Sequence, residues 1–169
     1  QDVTSYPDIA TSDVGSNVFF RNYWEAQELP TDEAVIGWND HDLQAYHSMN
    51  WTPNGYFDQL MYDRIFFEVG ACNEFLRETA NLSSSGKDTA DIAEYRLEAR
   101  WLRAFSYWTA IDLFGNVPFT TEHDPIGAFF PKQISRDSLF LFVESELLDL
   151  QNKLPDPGQN EYGRADKGA

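Results

Sequence analysis

Glu98-Ala99-Arg100-Trp101-Leu102-Arg103-Ala104-Phe105-Ser106-Tyr107-Trp108, running on to Asp112-Leu113-Phe114-Gly115-Asn116-Val117-Pro118, decides the fold of this 169-residue chain. Tyr95, Ala99, Leu102 and Phe105 recur at three- and four-residue steps, and so do Trp101, Ala104, Trp108 and Ile111. Two adjacent helical faces are therefore apolar, which predicts a mostly buried helix. Asp88 or Thr89 suits its N-cap, Gly115 sits where a left-handed terminal residue belongs, and Pro118 forbids resumption. The spacing predicts a helix over 89–114.

Outward from that helix, Phe57, Met61, Ile65, Val69, Cys72 and Leu76 keep one face of a second helix over 55–80, with Asn54 as N-cap and Asn81 just past its end. Ser83-Ser84-Ser85-Gly86 is a loop tip, too short to link domains, so the two helices make an antiparallel pair. Pro118, Pro125 and Pro131 keep 115–134 extended. A last helix is expected over 137–153, with Ser135 or Asp137 at its start and Leu139, Val143, Leu147 and Leu150 on its buried side. Residues 1–54 read as irregular, punctuated by Pro7, Gly15, Pro30, Gly37 and Pro53, with a short helix near 17–27. The pattern alone supports an α-rich helix pair.

The central stretch also resembles the SusD/RagB family, whose members carry a Glu-Ala-Arg-x-Leu-Arg-Ala run, aromatics, then Leu-Phe-Gly-x-Val-Pro and a Thr-Glu turn. Here the turn reads Phe119-Thr120-Thr121-Glu122. Downstream, Ser135-Arg136 opens a helix through Glu146-Leu147 to Leu154-Pro155, and Gly163-Arg164-Ala165-Asp166-Lys167 is similar to a family run that opens a further helix. Upstream, Glu28 to Ile36 and Trp51-Thr52-Pro53-Asn54 look like the family's loop region, with Asn73 near the end of the next helix. Tyr62, Phe66 and Val69 depart from the usual Trp-x-x-x-Tyr-x-x-Ile, and Gly37 stands where Pro is common. The resemblance spans about residues 26 to 169 and implies a mainly α fold. Its antiparallel helix pairs are of tetratricopeptide-like, α–α superhelix type with long irregular loops: 1–54 as loop region, 55–114 as the first pair, 135–169 as the start of a second. It also implies the early part of a longer chain.

Composition narrows the function. Twenty-eight acidic against 12 basic residues give a net charge of −16, which repels phosphate backbones and anionic lipid. No nucleic acid is expected as a partner. No apolar run approaches a membrane span, and Cys72 alone excludes an internal disulfide. His41 and His47 are six apart and His123 is distant, so no zinc pair is formed; Asp32, Glu33 and Asp40 lack the calcium-loop spacing. No metal or cofactor is expected. An enzyme reading would need a buried, neutral carboxyl facing an ionised one. Glu98 lies close to Arg100 and Arg103 in sequence, an environment that favours ionisation and structural pairing between helices. No catalytic residue follows.

Aromatic residues make up 15 % of the chain, and a sugar binder needs flat rings for pyranose C–H faces with amides and carboxylates for hydroxyls. Trp101 and Trp108 are expected to pack inside the helix layer. Trp38 and Trp51 differ because they lie in polar, turn-rich segments beside Asn39-Asp40, Asn50 and Asn54. The resemblance implies a glycan held by an aromatic arc, with Trp51 and Asn54 as the chief candidates and Trp38 and Tyr56 as neighbours. Trp38 has a competing and favoured role plugging a helix pair, and Asn54 one as helix cap. The same resemblance implies a non-catalytic outer-membrane, cell-surface lipoprotein of a Gram-negative bacterium that delivers oligosaccharide to a SusC-like TonB-dependent transporter. Gln1 is not the lipidated cysteine of such proteins, so any membrane attachment runs through an anchor outside this sequence. The alternative is a helical-repeat module that binds a protein or peptide.

Overall fold

The computed structural model describes residues 15, 18–82, 89–127 and 130–169. These hold five helices, α1 (Phe19–Glu28), α2 (His41–His47), α3 (Tyr56–Glu78), α4 (Thr89–Phe114) and α5 (Arg136–Leu150), and a two-stranded ladder of β1 (Val117–Pro118) and β2 (Gln133–Ile134). The chain divides into two compact units, Gln1–Phe67 and Glu68–Ala169, with the boundary inside α3.

In the first unit a small core of Leu29, Leu43, Tyr46, Phe57 and Leu60 gathers Ala26, Ala34 and Ile36 around it. Helix α2 corrects the reading of 1–54 as irregular apart from one short helix. Asp40 starts it, its carboxylate accepting from the backbone N–H of Asp42 at 3.1 Å and of Leu43 at 3.4 Å. Asp40 thus has a capping role. Helix α1 begins two residues later than the reading of 17–27 and ends one residue later. At the start of α3 the residue before the helix is Gly55, and the N–H of Tyr56 is satisfied by Asp42 Oδ2 at 3.0 Å. Asn54 lies exposed in the preceding turn and is not the cap, because the Gly55 N–H turns back to the Thr52 carbonyl and starts the helix one residue on.

In the second unit α4 has the predicted bounds. Gly115 closes it at φ 73°, its N–H reaching the Ala110 and Ile111 carbonyls. Asp88 lies outside the described residues. The buried face differs from the two stripes read in the sequence: Ala99, Arg103, Ala104, Ser106, Tyr107, Thr109, Ala110 and Ile111 are buried, while Tyr95, Leu102 and Trp108 are exposed. The reason is a polar frame. Arg103 bonds Asn73 Oδ1 at 2.7 Å, Glu146 Oε2 at 3.2 Å and the Glu122 carboxylate, and its guanidinium lies 5.7 Å from the Phe142 ring centroid. Tyr107 donates to the Thr120 carbonyl at 2.7 Å and accepts from the Thr120 N–H at 2.9 Å. These bonds let polar side chains occupy the inward face, since most of the buried groups that lose water gain a partner; the Arg103 Nε is the exception on this face.

Antiparallel order follows from the pairings. Arg96 reaches Leu76 and Thr79 while Arg103 reaches Asn73, and Arg100 and Tyr107 meet Glu146 and Phe142 respectively. Between α4 and α5 the chain runs through β1 and β2, paired Val117 to Ile134 and Pro118 to Gln133. Ser135 caps α5 by accepting from the Ser138 N–H. The helix ends at Leu150, three residues short of the expected 153, because Lys153 and Leu154 both turn back to the Leu150 carbonyl. Leu139, Val143 and Leu150 are buried as expected, but Leu147 is exposed. Residues 164–169 form turns instead of a new helix, with the Lys167 N–H held by the Pro155 carbonyl. Arg164 folds back on α4, gripping Glu98 at 2.7 and 3.0 Å and lying 4.8 Å from the Tyr95 ring centroid. Glu98 therefore pairs with Arg164, and Arg100 and Arg103 turn to Glu146.

Candidate functional site

Trp51 emerges from the polar turn before α3, half-exposed, with its ring 6.1 Å from that of Tyr46 and tilted by 59°. Beneath it lies a notch of about 30 Å³ lined by His41, Asp42, Tyr46, Asn50, Thr52 and Asp58 among others. Its walls are set by α2 and the first turn of α3. The Tyr46 phenol donates to Asp58 Oδ1 at 2.6 Å, and burial, this bond and the surrounding carboxylates push its pKa far up. Burial also raises the Asp58 carboxyl, with the Tyr46 bond working against that and Asp42 adding to it. A Cβ on Gly55 would stand 2.5 Å from Asp58 Oδ2 and 3.2 Å from the Thr52 carbonyl oxygen, so a side chain there would displace the Asp58 carboxylate.

The four residues singled out in the sequence all fall in the first unit. Trp51, Asn54 and Tyr56 share one short segment, and all three are exposed. Tyr56 packs edge-on against Phe57, while its N–H holds the Asp42 side chain that lines the notch. Neither Asn54 nor Tyr56 itself lines the notch. Trp38 is 60 % exposed and so does not plug a helix pair; the Arg21 guanidinium lies 5.1 Å from its ring centroid, and its carbonyl accepts from Gln44 Nε2. Of the polar residues beside Trp51, His41 enters the sequence reading only as a rejected zinc ligand, and Asp42 and Asp58 do not enter it. Their signal was present in Asp40-His41-Asp42-Leu43, an N-cap followed by an acidic first turn.

Trp101 and Trp108 correct another expectation. Trp101 stacks on Phe105 at 5.5 Å and 8°, Phe105 stands 5.8 Å from Trp108, and Trp108 is 45 % exposed. Trp101 and Trp108, with Phe140, Leu147 and Leu148, line an open groove of about 460 Å³ in the second unit. Among the described residues no group of three or more His, Cys, Asp and Glu side chains converges as a metal site, and no helix is long and apolar enough to cross a membrane.

The chain is 32 % identical over 164 residues to the starch-binding protein SusD of Bacteroides thetaiotaomicron, an alignment covering 96 % of this chain. This chain is SusD-like. It spans 28 % of the SusD sequence. Among solved structures, the surface glycan-binding protein A of Bacteroides uniformis superposes with a TM-score of 0.73 at 20 % identity, covering 99 % of this chain and 36 % of that one. A SusD-like protein of Bacteroides fragilis gives 0.71 at 19 % identity, covering all of this chain and 34 % of its own. At these identities the structures establish the fold, the mainly helical, tetratricopeptide-like arrangement of SusD-like proteins. No family model matches the chain.

Proposed function

We propose that the SusD-like chain contributes a glycan-binding surface, centred on Trp51, to a non-catalytic cell-surface protein that passes oligosaccharide to a SusC-like TonB-dependent transporter. The observation that carries this reading is the half-exposed Trp51 ring beside a notch of hydrogen-bonding groups, in a chain one-third identical to a starch-binding protein. Binding comes from ring stacking on a pyranose face together with hydrogen bonds to its hydroxyls, on a surface held in place by the Tyr46–Asp58 and Tyr56–Asp42 bonds. Asn54 and Tyr56 extend the surface. Trp38 is the weaker member because Arg21 lies over its ring. No bond is made or broken in this role. The outer-membrane, lipid-anchored placement follows from the same SusD-like reading.

A protein-binding module is the second reading, and the apolar groove of Trp101, Trp108, Phe140 and Leu147 is what favours it. Tryptophan fluorescence titration against a panel of soluble oligosaccharides separates the two. Saturable quenching by one sugar class, lost in Trp51→Ala, supports glycan binding; a flat response across the panel transfers the function to the groove.

A further inference from the structure

The notch under Trp51 is small, at about 30 Å³, a space suited to a water or a hydroxyl-sized group. Its two carboxylates lean it toward acceptance, although Asn50, Thr52 and His41 in the same lining also carry donors. The only proton of the Tyr46 phenol is committed to Asp58 Oδ1, and Asp42 Oδ2 is committed to the Tyr56 N–H. Each carboxylate keeps a second oxygen, and an ionised carboxylate only accepts. Cations are scarce around it: the lining contains no Lys or Arg, and His41 stands 3.5 Å from Asp42 with its ring in solvent. Arg21, in the same unit, is paired to Glu25 at 3.0 Å and lies over Trp38. The chain as a whole carries −16.

We propose that this notch is a hydroxyl-reading subsite, in which Asp42 and Asp58 accept protons from a neutral sugar stacked on Trp51 and turn away uronic-acid and sulfated sugars by charge. The proposal rests on the glycan-binding reading and adds the class of glycan. A hydroxyl or hydroxymethyl group of a stacked ring fills a water-sized space and supplies the O–H that the carboxylates lack. A carboxylate or sulfate on the same ring brings a third negative charge to two others in a partly desolvated site, where repulsion is weakly screened.

Calorimetric titration of the full chain with neutral tetrasaccharides and with tetragalacturonate tests this, using wild type, Asp42→Asn, Asp58→Asn and Trp51→Ala. Asparagine keeps an acceptor oxygen for the Tyr46 O–H or the Tyr56 N–H, and thermal unfolding verifies that each variant is folded. The wild type is expected to bind a neutral sugar at least about tenfold more tightly than tetragalacturonate, a difference of about 1.4 kcal/mol. Either asparagine variant should weaken the neutral sugar several-fold without weakening tetragalacturonate, so the ratio contracts. Equal or tighter binding of tetragalacturonate by wild type overturns the proposal, as does an unchanged ratio in both asparagine variants. If Trp51→Ala abolishes binding while the ratio stays fixed, the subsite falls and the glycan reading stands; if no sugar binds the wild type, both fall.

Discussion

Replacing Arg103 with Leu should be among the most damaging substitutions in the second unit. The side chain is 2 % exposed and joins four places in the chain: its own helix, Asn73 on α3, Glu122 after β1 and Glu146 on α5. Leucine fills part of the space but leaves the partners unequal. Glu146 keeps Arg100, which holds it at 2.7 and 3.1 Å, and is largely compensated. Glu122 loses its guanidinium while its side chain remains 18 % exposed, and Asn73 Oδ1 loses its bond although the amide nitrogen keeps Thr120. An orphaned, partly buried carboxylate costs about 2–3 kcal/mol and an orphaned amide oxygen about 1 kcal/mol. The sum, about 3–4 kcal/mol, matches what removing one member of a buried ion pair costs, about 3–5 kcal/mol. In urea unfolding followed by far-UV circular dichroism, with a slope of about 2 kcal/mol/M, the midpoint should fall by about 1.5–2 M. Glu122→Gln in the Arg103→Leu background should recover part of the loss, with a coupling of about 1–2 kcal/mol. A loss under about 1 kcal/mol, or full additivity with Glu122→Gln, would refute the view that Arg103 is a buried charge held by these partners.

Other consequences follow from single groups. Burial works to raise the Glu122 carboxyl, but the Arg103 bond, its backbone and His123 outweigh it and hold the group below its ordinary 4.5. A carboxyl depressed in the folded state stabilises fully above its unfolded pKa, and that share disappears as pH falls through the folded value. Wild type should therefore lose stability relative to Glu122→Gln below about pH 4.5, as read by midpoints across a pH series. The Cys72 thiol is pushed up to about 12 by burial and then by Glu68, with Arg103 opposing. It should react with a thiol reagent at pH 8 only on unfolding, so native-state labelling within minutes would contradict its buried placement. Gly115→Ala meets no neighbour within 4 Å, so its cost is purely conformational at φ 73°, about 1–2 kcal/mol in thermal unfolding.

The helix frame was legible because its signals are local. Gly115 and Pro118 stop α4 at its predicted residue, and the Phe57 to Leu76 spacing marks the buried side of α3 with no exception. What escaped depends on distant partners. Two adjacent apolar stripes on α4 suggest that both point inward, yet of their residues only Ala99, Ala104 and Ile111 are buried, sharing the inward face with Arg103, Ser106, Tyr107 and Thr109. Asn73, Glu122 and Thr120, which satisfy Arg103 and Tyr107, come from other segments. Proximity in sequence pairs Glu98 with Arg100 and Arg103, whereas its partner in the fold, Arg164, lies 66 residues away. Helix α2 was missed because seven residues carry too few apolar positions for periodicity to register, although Asp40 announces its start. At the candidate site, polar flanks marked Trp51 as a surface ring. The notch beneath it needs α2 and Asp58 folded together, and no spacing along the chain reveals that.

A crystal structure with the oligosaccharide that quenches tryptophan fluorescence tests the central claim most directly. The account predicts a sugar ring lying on the Trp51 indole, with one hydroxyl directed toward Asp42 and Asp58. Sugar seated along Trp101 and Trp108 instead, with the Trp51 ring bare, would contradict it.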